Sequence, residues 1–382
     1  MAFTGRAVYD TGVFDGIAED VSDVISMISP FETPVLDRMA QAPRPAFNVL
    51  HEWLEDALNP NTVATSALAT AATGATSIEL QKDTLTGGAV TQFLQVGAVL
   101  QVESTGEYLQ ITGKSGDFIT VDRQFGGTTA ATIAAGTALY VISDASLEGA
   151  DVVADISRPR VRKTNYTQIF KKDLIVSGTV QATQQLGGIS DEMDYQRTQR
   201  LRESLRDLEK AVIRGRSSGN TLGSSTAYRT FDGILAQIAT NIATIGSVGG
   251  LTVDALNSAI RLAWDNGGTD IDVIVADANL KQQIDSFNDT RVEVMNRDER
   301  FHQRVSMFES TYGDLEVVLG RWMPQNSLMI VSSQRVHVVP LRGRSFQFQS
   351  VSRTGDAEKG MVIGEYTVEV HNEEGMSQLF VG

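Results

Sequence analysis

The spacing of apolar positions changes along the chain, and each change marks an element. From about 78 to 143 the period is two. Leu100-Gln101-Val102-Glu103, Leu109-Gln110-Ile111-Thr112 and Ile119-Thr120-Val121-Asp122 all alternate apolar with polar. Ser104-Thr105-Gly106 and Gly113-Lys114-Ser115-Gly116 stand between these runs, and Leu139 and Val141 continue the alternation. Successive strand side chains point to opposite faces, so short alternating runs separated by glycine turns predict antiparallel sheet. The β-rich segment is large enough to be a domain, and we set it at 62–148.

Beyond Gly187-Gly188 the period lengthens. Leu201, Leu205, Leu208 and Val212 recur at helical spacing and predict one apolar face on a helix over 191–214. Ser190 is placed to cap it, with Asp191 and Glu192 in the first turn and Gly215 as the stop. The opposite, polar face carries Arg197, Arg200, Arg202, Glu203, Arg206, Asp207, Glu209 and Lys210. Leu174-Ile175-Val176, closed by Ser177-Gly178, reads as a short strand. Further on, Thr252 to Asn266 reads as helix, Ile271 to Val275 as a buried strand, and Asp277 to Phe287 as helix. Strands dominate from about 314, with Met361-Val362-Ile363 leading into Tyr366 to Val370. Mixed helices and antiparallel strands make the fold class α+β.

Two stretches lack a core-forming pattern. Residues 1–48 contain Pro30, Pro34, Pro43 and Pro45 within 16 positions and read as an arm. Ile17, Val21, Val24 and Ile28 allow one short amphipathic helix in it. In 62–76, six Ala and five Thr fill eleven of fifteen positions, which is linker composition.

Charge adds a possible means of association. The chain has a net charge of −15, which disfavours general nucleic-acid binding, because phosphate affinity comes mainly from Lys and Arg. Residues 1–60 hold ten acids and three bases, a net of −7. By contrast, Arg158, Arg160, Arg162, Lys163, Lys171 and Lys172 lie within fifteen residues that include no acid. Two extended segments of opposite sign are candidates for contact between copies, with charge setting register more than affinity. These six bases are the candidate inter-subunit contacts. No apolar run approaches the roughly 18 residues that span a bilayer, so no membrane is expected.

Catalytic and ligand-binding patterns are weak. There is no cysteine, which removes disulfides, thiolate metal sites and cysteine nucleophiles. His51, His302, His337 and His371 are widely spaced and give no positive sign of a shared site. Gly215-Arg216-Ser217-Ser218-Gly219 has nucleophile-elbow spacing, but the helix precedes the serine where a strand should. Glu299 and His302 have half the spacing of a di-iron site without a second copy. Gly246-Ser247-Val248-Gly249-Gly250 lacks the Gly-Lys-Ser/Thr ending of a phosphate loop. The expected reading is a non-enzyme with no catalytic residue, cofactor or metal. Trp53, Trp264 and Trp322 read as core or interface anchors, and Glu373-Glu374 as a solvent-facing pair.

Three stretches carry a resemblance. The first is Arg123-Gln124-Phe125-Gly126-Gly127-Thr128-Thr129-Ala130-Ala131 with Ala134-Ala135-Gly136-Thr137. The second is Thr311-Tyr312-Gly313-Asp314-Leu315 through Gly320-Arg321-Trp322-Met323-Pro324. The third runs from Arg353-Thr354-Gly355-Asp356-Ala357-Glu358-Lys359 through Gly364 to Asn372. In that order they resemble tailed-bacteriophage major capsid proteins of the Hong Kong 97-type (Johnson) fold, over about 78 to 380.

The resemblance implies an N-terminal arm (1–48), an extended loop (49–61 and 149–180) and an inserted β-rich domain (62–148) on the shell exterior. It also implies a peripheral domain (181–229 and 346–382) with the spine helix 191–214, and an axial domain (230–345). The hairpin turning at Thr354-Gly355-Asp356 would lie beside the spine. Glycine pairs such as Gly187-Gly188 and Gly249-Gly250 would bend between capsomer environments. The implied function is a structural virion protein that self-assembles into the icosahedral shell around phage DNA. The implied partners are further copies in hexamer-like and pentamer-like capsomers, with portal, scaffolding and decoration proteins. The chain would be assembled in the bacterial host cytoplasm and located in the virion. No segment before the arm is long enough for a cleaved scaffold, so scaffolding would be separate or absent. No lysine matches the family's crosslinking chemistry. The alternative is another virion structural protein, such as a tail-tube or baseplate component. A hydrolase or carbohydrate-binding enzyme using the β-rich segment is disfavoured by the absence of a catalytic constellation.

Overall fold

The computed structural model describes residues 32–66, 72–83, 86–149, 155–183, 191–219, 222–246, 250–287, 307–353 and 355–382. The chain forms two compact units, one from Met1–His51 with Thr164–Gly382 and one from Glu52–Lys163.

In the first unit a five-stranded sheet is organised on one long strand, Ala357–Val370. Gln168–Ser177 pairs antiparallel with it along ten residues, Gln347–Val351 along five and Val336–Pro340 along five. Ala40–Gln41 adds a short parallel edge on Val336–Pro340. Alternation in Gln168–Ser177 sends Phe170, Leu174 and Val176 inward and leaves Ile169 and Ile175 exposed.

The long helix Glu192–Arg214 packs on this sheet. Its buried positions are Ser204, Leu208, Glu209, Val212 and Ile213. Burying each of its three large apolar side chains stabilises by roughly 1.5–3 kcal/mol. Asp191 caps the helix, accepting hydrogen bonds from Met193 N (2.8 Å) and Asp194 N (3.3 Å). Gly215 ends the helix in close contact with Gly233. A Cβ at Gly215 would lie 2.5 Å from Ala211 O, and one at Gly233 would lie 2.7 Å from Gly215 N. Neither position has room for a side chain.

A second, six-stranded sheet lies in the same unit. Its order is Ile242–Ile245, Ser377–Val381, Ser327–Val331, Val273–Ala276, Gly313–Leu319, Met307–Ser310. Val273–Ala276 and Ser327–Val331 are buried at every position, as expected for central strands covered on both faces. On one side Val273, Val275, Met329 and Val331 join Leu208, Val212 and Phe231 in a single core. On the other side Ile274, Ala276 and Leu328 meet Leu256, Ile260 and Leu280 of the helices Val253–Asp265 and Ala278–Ser286.

The second unit is a small antiparallel barrel. Its strand order is Thr62–Ala64, Ala138–Ser143, Val99–Val102, Tyr108–Ser115, Phe118–Asp122, Ser77–Glu79. The outer strands meet through the Thr65–Leu80 bridge, with Ser66 N donating to Glu79 O (2.9 Å) and Gln81 N to Ala64 O (2.8 Å). Among the described residues this seam joins the two outer strands to each other. Val63, Ile78, Leu100, Leu109, Ile111 and Leu139 fill the interior. The paired strands Leu50–Glu55 and Val161–Tyr166 carry the chain between the two units.

The fold is α+β, as expected, with several local corrections. Asp191 caps the long helix, and Ser190 lies outside the described residues. Leu201 is 39% exposed, while Glu209, read as part of the polar face, is completely buried. The inward stripe is set by the sheet, which covers the C-terminal half of the helix. Part of the supposed linker is the strand Thr62–Ala64, because Val63 and Thr65 suit a closing strand. The short strand at 174–176 is the end of the ten-residue strand Gln168–Ser177. This strand and Val336–Pro340 belong to the five-stranded sheet, whereas Ser377–Val381 belongs to the six-stranded one. The expected helix at 17–28, Gly187, Gly188 and Gly249 of the bending glycine pairs, and Glu299 with His302 lie outside the described residues.

Candidate functional site

Buried carboxylates hold the extended segments of this chain in place, and two of them lie in the third of the stretches named above. Glu209, inside the long helix, is the first. Residues 33–39 form one helical turn, with Asp37 N donating to Thr33 O (3.1 Å) and Met39 N to Val35 O (2.9 Å). Pro34, at the start of this turn, has no N–H to satisfy. The next two N–H groups, Val35 and Leu36, donate to the two Glu209 carboxylate oxygens at 2.9 and 2.8 Å. A carboxylate from 174 residues away thus does the work of a local cap. Val35 and Met39 then enter the core beside Leu208 and Val212. Nearby, Arg38 pairs with Glu316 (2.5 Å), Trp322 Nε1 donates to Glu32 O (3.2 Å), and Lys210 Nζ lies 4.4 Å from the Trp322 ring centre.

Burial pushes the Glu209 carboxyl up to about 7, against the two backbone N–H groups and with some help from Asp37. The folded chain therefore holds this proton between the ordinary carboxylate range and neutrality, where the unfolded chain has released it. The stabilisation belonging to the proton is full at low pH and is lost as pH rises through about 7. Denaturation midpoints of the native chain and Glu209→Gln, measured across this window, should show native stability falling relative to the variant as pH rises. A constant difference would contradict this.

Glu365 and Glu369 stand on one face of the long strand. Glu365 is 3% exposed. Arg229 Nη2 lies 2.5 Å from one of its oxygens and Arg344 Nε 2.9 Å from the other. Glu369 receives His51 on one oxygen and His371 Nε2 on the other, the latter at 3.3 Å. Burial alone would raise the Glu369 carboxyl, but hydrogen bonds from His371 and His51 and their charges outweigh it and hold it at about 2. Close packing sets this strand too, since a Cβ at Gly364 would lie 2.5 Å from Phe346 Cδ1. Glu373, expected to face solvent, is buried. It accepts from Ala239 N (3.0 Å), Thr240 N (3.2 Å) and Thr240 Oγ1 (2.6 Å).

In the barrel, Glu107 and Arg123 have side chains 0% and 7% exposed, 2.7 Å apart. Arg123 also donates to the carbonyls of Ala72, Ala75 and Ala131, and Glu107 accepts from Gln124 N and Ala131 N. This accounts for the Arg123–Ala131 stretch, which is a loop folded around one ion pair. Burial would raise Glu107, but Arg123 and the two backbone donors hold it below its ordinary value.

Five of the six candidate contact bases have acids of their own chain nearby. Arg158 is buried on Asp83 and lies 5.5 Å from the Phe93 ring centre. Arg160 and Arg162, 69% and 66% exposed, lie 3.4 Å from Asp56 and 3.5 Å from Glu52. Lys171 reaches Asp173 and Lys172 reaches Asp207. Lys163 is half-buried. Arg160 and Arg162 therefore offer the most accessible charge, whereas Arg158 is committed to its own unit. At Gly215–Gly219 the chain leaves a helix, and Asp232 holds the loop through Ser217 N (2.8 Å), so the elbow geometry is absent. Among the described residues no cluster of three or more His, Asp or Glu is arranged for a metal, and no helix is long and apolar enough to cross a membrane.

Sequence reasoning missed these carboxylates because a lone Glu in a helix or strand looks solvated. The one available signal was that Glu365 and Glu369 fall within a stretch carrying the resemblance.

The sequence model of the family described as SU10 major capsid protein matches residues 4–380. The major capsid protein of Pseudomonas phage PaMx41 is 31% identical over 144 residues, which is 36% of this chain and 32% of that relative. The match thus spans about a third of the relative's length. Among solved structures, the capsid of an empty GTA particle superposes with a TM-score of 0.54 at 8% identity, covering 98% of this chain and all of that one. The capsid of Myoviridae phage XM1 gives 0.50 at 10% identity, covering 97% and 100%. Likeness at these identities establishes a shared fold.

Proposed function

Because the chain belongs to the SU10 major capsid protein family, with the Hong Kong 97-type fold, we propose that it is the subunit that builds the icosahedral shell around phage DNA. The observation that carries this is the family match over residues 4–380, almost the whole sequence. The role is structural and needs no catalytic group. Copies associate in hexamer-like and pentamer-like capsomers. Portal, scaffolding and decoration proteins complete the set of partners, and assembly takes place in the host cytoplasm.

On this reading 1–48 is the arm, 49–61 with 149–180 the extended loop, and 62–148 the inserted domain. Residues 181–229 with 346–382 form the peripheral domain and 230–345 the axial domain. Strand pairing supports moving Gln168–Ser177 and Val336–Pro340 to the peripheral sheet and Ser377–Val381 to the axial one.

The acidic arm and the basic segment Arg158–Lys172 then meet across subunit boundaries. Exposed ion pairs are worth about 0–1 kcal/mol each, so a single contact is weak and a misplaced subunit can leave. Repetition around a closed lattice makes the sum stable. Negative-stain electron microscopy of the chain, expressed alone and with its neighbouring genes, should show closed shells. Rings or tubes in their place would favour a tail component. Reversing Arg160 and Arg162 to Glu should abolish shells while leaving a folded subunit, because both side chains are mostly exposed. Normal shells from that variant would remove the charge-contact mechanism.

A further inference from the structure

Two of the four histidines meet at one carboxylate, and a third stands beside them. His51 reaches one Glu369 oxygen, and His371 Nε2 lies 3.3 Å from the other. His337 is directly opposite Glu369 in the strand register, and its ring stands edge-on to His371 with centres 5.3 Å apart. The site is only partly open to water, with side-chain exposures of 13% for Glu369, 16% for His51 and 32% for His371.

Other charges near the cluster are already engaged. Arg335, whose carbonyl accepts from His371 N (2.9 Å), is paired with Asp270 (2.5 Å). Glu365, on the same face of the strand, is held by Arg229 and Arg344. Glu52, next to His51, is near Arg162. On the neighbouring strand and just beyond it, Asn165 and Thr167 carry no ionisable group. Within the cluster itself, the charge is carried by Glu369 and the imidazoles. With all three imidazoles neutral it is −1, and one proton brings it to zero.

The position of His51 gives the cluster a mechanical role. His51 is the last residue of the first unit before the chain runs out along Leu50–Glu55. The start of this strand, which is paired with Val161–Tyr166, makes two further contacts that bear on the cluster. One is a backbone hydrogen bond from Thr167 N to Val49 O (2.9 Å), which does not titrate. The other is His51 on Glu369, an imidazole on a carboxylate.

We propose that His51, His337, His371 and Glu369 form a proton-operated latch that fixes the start of the outgoing strand when the imidazoles carry charge and loosens it when they do not. Imidazole is the side chain whose ordinary titration falls between pH 5 and 8. A charged donor on a carboxylate makes a stronger bond than a neutral one. The strongly depressed Glu369 carboxyl agrees with a site built to keep its negative charge. Because the latch belongs to the folded subunit, it is independent of the assembly reading.

Hydrogen–deuterium exchange on the full chain, in one assembly state at about pH 5.5 and about pH 8.5, tests the latch on either side of imidazole titration. After correction for intrinsic rates, the Thr167 amide and residues 48–51 should be about fivefold better protected at the lower pH, the difference between charged and neutral hydrogen bonds. The buried strand Val273–Ala276 serves as the reference for global stability. His51→Gln keeps a donor without the titrating charge and should abolish the pH difference. Glu369→Gln should do the same, and provides a second route if the first variant folds poorly. Equal protection of the native chain at both pH values, relative to the reference, would overturn the proposal. So would an unchanged pH difference in either folded variant.

Discussion

Replacing Glu209 with alanine should release residues 33–39 from the long helix and cost about 2–4 kcal/mol, from two stranded N–H groups and a buried void. Both carboxylate oxygens are engaged by the Val35 and Leu36 amides, and the residue is completely buried. Water cannot replace the lost acceptor unless the turn lifts away. Lifting it would expose Val35 and Met39, which are 0% and 5% accessible. Glu209→Gln keeps one carbonyl oxygen and should fall between the two. Urea midpoints read the order directly. Alanine within about 0.5 kcal/mol of the native chain, the range of an ordinary surface change, would mean that the turn is held by its apolar contacts alone.

The second large effect is expected inside the barrel. Glu107→Ala or Arg123→Ala should each destabilise the Glu52–Lys163 unit by about 3–5 kcal/mol, because each leaves a buried charge without its partner. Removing both should cost clearly less than the sum, since the second change removes the charge that the first one stranded. Calorimetry of the full chain and its three variants closes the cycle. Additive costs would show that the two side chains act separately, each through its own backbone contacts.

Much of the fold was legible because it depends on local rules. Alternating residues between 99 and 122 gave the barrel strands, and periodicity with Gly215 gave the long helix. What remained hidden depends on neighbours distant in sequence. Leu201 reads as core and Glu209 as surface until the sheet is in place, because periodicity identifies a face without saying how much of it will be covered. Thr62–Thr65 reads as linker because small residues carry little hydrophobic signal, yet barrel closure needs main-chain partners more than bulk at that seam. The Glu369 cluster draws His51 from 318 positions away, and no spacing rule reaches that far. The basic segment was visible as charge, but its division into a buried Arg158 and exposed Arg160 and Arg162 was not.

Barrel closure also affects how this protein can change over time. The strands Thr62–Ala64 and Ala138–Ser143, by which the chain enters and leaves the barrel, are hydrogen-bonded neighbours, with Val141 N donating to Asn61 O. Below them, Asn59 Nδ2 reaches Ile156 O and Arg158 reaches Leu58 O. The two connecting segments thus run together, and cutting out the whole barrel would leave ends about one strand spacing, roughly 5 Å, apart. A turn of a few residues bridges such a gap. A lineage can therefore gain, lose or exchange this module as a cassette, without re-routing the strands that carry it.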